Sequence, residues 1–231
     1  MNNKTIPNNI FQTHKSISYL IKKPKILNAM KSWFIHKNNF KYYFFSNLNC
    51  DNFIKNNFDK KINEAYFSLP LGVMKADLWR YCAIYKYGGI YADADTVCNI
   101  NPNIFINNSY LTVAPEPGHN YFCQWAFAAP KDSPILKTII DLSVERILQL
   151  NKGDGINVHY LTGPAVFTDG IIKYLTENNL PIFNDIAQYY RYPSNQLAVF
   201  KKEYFHEIFI KHLYAGSDND GWKKKTTNLK L

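Results

Sequence analysis

Residues 71–95, Leu-Gly-Val-Met-Lys-Ala-Asp-Leu-Trp-Arg-Tyr-Cys-Ala-Ile-Tyr-Lys-Tyr-Gly-Gly-Ile-Tyr-Ala-Asp-Ala-Asp, constrain this chain more than any other stretch. From Gly72 to Tyr87 nothing breaks a helix, and apolar side chains recur on almost every face, the pattern of a helix buried all round. Gly88 and Gly89 supply the left-handed stop that helices favour. The period then changes to two, so Ile90, Ala92 and Ala94 are expected on one side of a strand and Tyr91, Asp93 and Asp95 on the other.

Charge decides how this stretch is read. Asp77 and Arg80 lie three apart on one face of a buried helix, where an isolated charge is costly to desolvate, so they need each other or a ligand. Asp93 and Asp95 repel unless a cation lies between or near them. Oxygen ligands favour magnesium or manganese, ions that complete their shells with phosphates and water. An Asp pair capping a turn at an exposed strand end is the plain structural alternative. The buried Asp/Arg pair and the Gly-Gly that precede it weigh against that reading.

Ala76-Asp77-Leu78-Trp79-Arg80-Tyr81 followed by Tyr85-Lys86-Tyr87-Gly88-Gly89-Ile90-Tyr91-Ala92-Asp93-Ala94-Asp95 resembles the signature of glycosyltransferase family 32. These are sugar transferases with a DXD motif, among them initiating mannosyltransferases of the yeast type and bacterial capsular-polysaccharide enzymes. The large clostridial glucosylating toxins share the spacing. The resemblance implies an α/β GT-A fold, a single Rossmann-like mixed sheet flanked by helices, as one domain over residues 1–231. It also implies a nucleotide-sugar donor (UDP- or GDP-linked), a divalent metal (Mn2+ or Mg2+), retention of anomeric configuration, and a glycan, lipid or protein acceptor. On that basis Asp93 and Asp95 hold the metal, Arg80 reaches phosphate or sugar oxygens, Asp77 accepts from sugar hydroxyls or orients Arg80, and Tyr91 contacts the donor.

The rest of the chain has the rhythm of an α/β sheet. A first strand is expected within Ile6–Lys15, a helix over Ile26–His36, a strand over Phe40–Ser46 and a short helix over Asp51–Phe58. Family members open with Ile-Pro-x-x-Ile-His-Gln-x-Trp-Lys. Here Ile6, Pro7, Ile10, Gln12 and Lys15 match, while Phe11 replaces His and His14 stands in place of Trp, which implies Gln12 and Thr13 near the donor nucleotide. Tyr110–Ala114 suits a strand, and Ser133 caps a helix running to Leu150. Within Phe122–Pro130, Gln124 is a candidate sugar ligand and Trp125 reads as core. Thr162-Gly163-Pro164 is a helix start whose amino end suits an anion. In the tail, residues 212–222 resemble the His and Gly-Ser-Trp of a closing loop, which makes His212 and Ser217 candidate metal ligands and Trp222 a donor cover; residues 215–231 are expected to be that loop and a tail.

Composition sets the remaining bounds. A chain of 231 residues, 46% hydrophobic, can bury one good core. The four cysteines, Cys50, Cys82, Cys98 and Cys123, form neither a CxxC pair nor a zinc pattern and read as core thiols. No apolar run reaches the ~18 residues of a membrane span, so a cytoplasmic protein is expected, with peripheral membrane contact left open. The net charge of +9 invites a nucleic-acid reading, but only three of the 27 basic residues are Arg, the preferred base-reading side chain, and no nucleic-acid partner is expected. A metal-dependent phosphohydrolase and a noncatalytic lectin-like or nucleic-acid-binding module are the alternatives to a transferase. Oligomeric state leaves no trace in the sequence.

Overall fold

The structure is a computed structural model and describes residues 5–151 and 153–215. Its core is a six-stranded mixed sheet formed by β1 (Asn9–Thr13), β2 (Lys41–Phe45), β3 (Gly89–Ala92), β5 (Leu111–Val113), β6 (Ala126–Ala129) and β7 (Leu197–Val199), in the order β2-β1-β3-β6-β5-β7. The pairs β1/β2, β1/β3 and β5/β7 are parallel, and β6 runs antiparallel to both of its neighbours. A separate two-stranded ribbon joins β4 (Thr96–Cys98) to β8 (Ile210–His212). Helices α1 (Ile17–Ile21), α2 (Pro24–His36), α3 (Asn47–Asn57), α4 (Lys60–Ser68), α5 (Gly72–Tyr87), α6 (Pro134–Leu148), α7 (Val158–Leu161) and α8 (Pro164–Glu177) complete the fold.

Both faces of the central strands are covered, and the period of two sorts their side chains. Ile10, Ile90, Ala92, Ala126 and Ala128 enter one apolar cluster; Phe11, Tyr91, Phe127 and Ala129 enter the other, against α5 and α6. Helix α5 lies in that second layer and is buried along most of its length, from Met74 through Ile84, as its nearly uniform apolar pattern requires. All four cysteines are buried and unpaired.

Three boundaries depart from the expectations. The short helix begins at Asn47 rather than Asp51, because Ser46 forms a capping box with Asn49, an amide doing the work usually given to Glu or Gln. Helix α4 had no counterpart among the expected elements; Asp59 caps it by accepting from the Ile62 N–H. The third departure bears on the site. Strand β3 stops at Ala92, and the carbonyl of Asp93 accepts from both Thr96 N and Thr96 Oγ1, which closes a turn through Ala94 and Asp95. Asp93 and Asp95 therefore do not share a face of one strand.

The glycine doublet is fixed by conformation and by space together. Gly88 has φ +66° and Gly89 φ +128°, both in the region that L side chains avoid. A Cβ on Gly89 would lie 2.6 Å from the Asn9 carbonyl oxygen, and one on Gly88 2.6 Å from the Lys131 nitrogen. Gly72, at the other end of α5, has nothing within 4 Å of an added Cβ. We expect Gly89→Ala to destabilise the fold by at least about 2 kcal/mol, whereas Gly72→Ala is neutral or slightly stabilising. Urea midpoints at unchanged slope measure both.

Candidate active site

The site is built around the guanidinium of Arg80, which is 4% exposed. Arg80 Nη2 donates to Asp77 Oδ1 at 2.9 Å and to Asp93 Oδ1 at 3.1 Å. Nη1 donates to Oε1 and the carbonyl oxygen of Gln124, at 2.9 and 3.2 Å. The plane lies 4.6 Å from the ring centroid of Tyr91, whose hydroxyl donates to Asp93 Oδ1. All four terminal N–H groups are thus taken, and only the buried Nε lacks a partner among the described residues.

A second layer fixes the first. Asp77 accepts from Gln124 Nε2 at 3.2 Å and from Thr162 Oγ1 at 3.1 Å. The Tyr81 hydroxyl lies 2.8 Å from both Gln124 Oε1 and the Thr162 carbonyl, either of which its one proton can serve. Burial pushes the Asp77 carboxyl up to about 6 despite the pull of Arg80. Burial raises Asp93 too, against the same arginine.

The β4/β8 ribbon returns His212 to the turn, pairing it with Thr96. His212 Nε2 lies 3.3 Å from Asp95 Oδ1, and Asp95 Oδ2 accepts from the Ala215 N–H at 2.8 Å. Burial works to raise the Asp95 pKa, but His212 and the Ala215 N–H outweigh it and hold the carboxyl below its usual range. Burial likewise opposes charge on His212, but the hydrogen bond and charge of Asp95 leave its pKa above the ordinary 6.5. Behind it Trp125 stacks on the imidazole at 4.7 Å and donates to Glu116 Oε2 at 2.6 Å.

One ligand atom from each of Asp93, Asp95 and His212 lies within 4.8 Å of the other two, a spacing that fits a shared divalent ion. His212 Nδ1 is buried with no partner among the described residues. Two carboxylates and an imidazole suit Mn2+ better than Mg2+, which prefers oxygen alone.

The predicted donor ligands fall in different places. Gln124 is part of the Arg80 network. Tyr91 is fully buried behind Asp93. Gln12, also fully buried, donates to the Asp93 carbonyl at 3.0 Å and accepts from Tyr42 at 2.5 Å, tying β1 and β2 to the end of β3. Thr13 turns its hydroxyl to the Phe45 carbonyl and Cys50 Sγ. All three are buried and make these contacts within the protein; the sequence reading had them as donor contacts. Ser217 and Trp222 lie outside the described residues. Thr162 and Tyr81 join the site through their hydroxyls, a role the sequence reading did not give them: Tyr81 stood in the family motif without one, and Thr-Gly-Pro was read as a helix start whose amino end suits an anion. Glu116 carried no sequence signal. His14 is stacked on Tyr19 at 5.2 Å and feels the charge of Asp95; the family pattern had marked its position without giving it a role.

A six-stranded mixed sheet flanked by helices is the GT-A glycosyltransferase fold. In fold the chain is similar to the PaToxG glycosyltransferase (TM-score 0.59, 18% identity, 75% of this chain and 70% of that one). Residues 24–112 match the glycosyltransferase sugar-binding region containing the DXD motif. Among its relatives are initiation-specific alpha-1,6-mannosyltransferases. The Candida albicans protein is 26% identical over 212 residues (77% of this chain, 54% of the relative), and the Schizosaccharomyces pombe protein 34% identical over 138 residues (50% and 35%). The chain thus spans about half or less of the length of these two relatives.

Ligation requires neutral imidazole, so Mn2+ affinity should rise with pH through the raised pKa of His212. We expect His212→Ala to lower affinity about 10- to 100-fold and to flatten that dependence. Calorimetric titrations near pH 6 and pH 8 measure both effects.

Proposed function

We propose that this protein is a divalent-metal-dependent, retaining glycosyltransferase that moves a sugar from a nucleotide-sugar donor to a hydroxyl of a glycan or glycolipid acceptor. The observation that carries this reading is the convergence of Asp93, Asp95 and His212 in front of Arg80, whose terminal N–H groups are all taken. Asp93, Asp95 and His212 would hold the ion, which supplies positive charge to a departing diphosphate. Arg80 aims Asp93 and favours its ionised form, against the partial burial that works to raise its pKa. Asp77, Gln124 and Thr162 hold Arg80 itself. The names of the relatives make a mannosyl donor the first to test.

Retention without a covalent intermediate is the mechanism this residue set supports. Asp77 is 2% exposed with both oxygens engaged, so it is not free to attack a sugar. The acceptor hydroxyl then attacks on the face the diphosphate leaves: the new C–O bond forms as the C–O bond to phosphate breaks, and a phosphate oxygen takes the hydroxyl proton. An open groove of about 380 Å³ lined by Glu116, His119, Asn120, Asp185 and Lys202 adjoins this region through Glu116 and Trp125, and offers polar groups to an acceptor.

A panel of UDP- and GDP-sugars, assayed for manganese-dependent hydrolysis and transfer, tests the reading. We expect EDTA to abolish turnover, Mn2+ to restore it, and Asp95→Asn to reduce it by at least about 100-fold with an unchanged circular dichroism spectrum. Turnover that survives both chelation and Asp95→Asn removes the metal from the reaction. A trapped glycosyl-enzyme rules out same-face attack.

A further inference from the structure

The charge of this chain is concentrated at one end of the sequence. Residues 1–50 contain eight Lys and no Arg, Asp or Glu, which leaves 19 basic against 18 acidic residues in all that follows. Nearly the whole net charge of +9 therefore belongs to the stretch that forms β1, α1, α2 and β2.

The same stretch leaves large apolar side chains in water. Helix α2 turns Ile26, Ala29, Met30 and Trp33 inward, while Phe34 and Ile35 on its outer side are 59% and 74% exposed. In α1, Ile17 and Ile21 are four apart on one face and 52% and 65% exposed. Lys22 and Lys23 join the two helices, and Lys25 and Lys31 stand exposed along α2. Among the described residues none of these lysines is within ion-pair distance of a carboxylate. Exposed aliphatic groups among unpaired lysines, without acids, form the surface that anionic lipid complements. A polynucleotide would match the charge but has no use for Ile17, Ile21 and Ile35, and the stretch contains no arginine to read bases.

We propose that the outer side of α1 and α2 docks on an anionic phospholipid bilayer, with Ile17, Ile21, Phe34 and Ile35 entering the headgroup boundary and the lysines meeting lipid phosphates. Docking stands independently of the transferase reading, but its use rests on that reading. The inner side of the same helices packs Leu20, Ile26 and Met30 against Ala94, the residue between the two site carboxylates. Helix packing thus places the acidic turn about one helix diameter, roughly 10 Å, from the lipid, within reach of an acceptor carried on a headgroup.

Flotation of the full chain with vesicles tests this. Binding is expected to vesicles of neutral lipid with about 30% phosphatidylserine, to be absent with neutral lipid alone, and to fall steeply between about 0.05 and 0.5 M salt. Each lysine near such a surface is worth roughly fivefold in partitioning, so Lys25→Glu/Lys31→Glu should weaken binding at least about tenfold. Phe34→Ser/Ile35→Ser should weaken it as well, whereas Lys60→Glu/Lys61→Glu, the same charge change on α4, should leave it nearly unaltered. Thermal melts confirm that the variants fold, and manganese-dependent donor hydrolysis in solution reports separately on the transferase reading. No vesicle binding, equal loss in both lysine pairs, or binding to polynucleotide in place of vesicles would overturn the docking face.

Discussion

The guanidinium of Arg80 is the interaction on which the rest depends. Burying a charge is costly unless it is paired and hydrogen-bonded, and this one is held by two carboxylates, one side-chain amide, one backbone carbonyl and an aromatic face. The partners come from three places: Asp77 from α5 itself, Tyr91 and Asp93 from the end of β3, and Gln124 from the approach to β6. The ion pair therefore fixes the distance between helix and sheet at the point where the acidic turn begins. Removing it would leave the buried Asp77 carboxylate facing Asp93 with no positive charge between them, which raises the cost of keeping both ionised.

Much of this was legible in the sequence because it is local. The burial of α5, the glycine stop and the change to a period of two are written within 25 consecutive residues, and the Asp77/Arg80 spacing needs only helical geometry. The order in which side chains face a cavity was not legible. Gln12, Thr13 and Tyr91 are polar residues at strand ends, a description that fits a ligand contact and a buried brace equally well. Their polar atoms are paired within the protein, because β1, β2 and the end of β3 leave polar groups that must be satisfied internally. The turn at Asp93 escaped notice for a related reason: alternation continues through Ala94 and Asp95, but Thr96 captures the Asp93 carbonyl twice and stops the strand.

Thr162 shows how a motif can be placed correctly and read too narrowly. Its Gly-Pro neighbours explain the helix start, yet its hydroxyl is spent on Asp77, 85 residues earlier. The family match stops at residue 112, and so does not include Gln124, Thr162 or His212, each of which completes the site from outside that region. The matched region thus holds the acidic pair and its arginine, while Gln124, Thr162 and the third candidate ligand come from later in the chain.

The β4/β8 ribbon carries a consequence for how the molecule comes into being. His212 reaches Asp95 across 117 residues, and the Leu213 and Ala215 N–H groups clasp the same aspartate. Contacts of such span give no return until most of the intervening polypeptide is ordered, since loop closure must be met first. A chain still emerging from synthesis, with its sheet half assembled, would own both acids and the arginine yet lack the imidazole. Closure of this corner is thereby deferred until β8 has been made and has paired with β4.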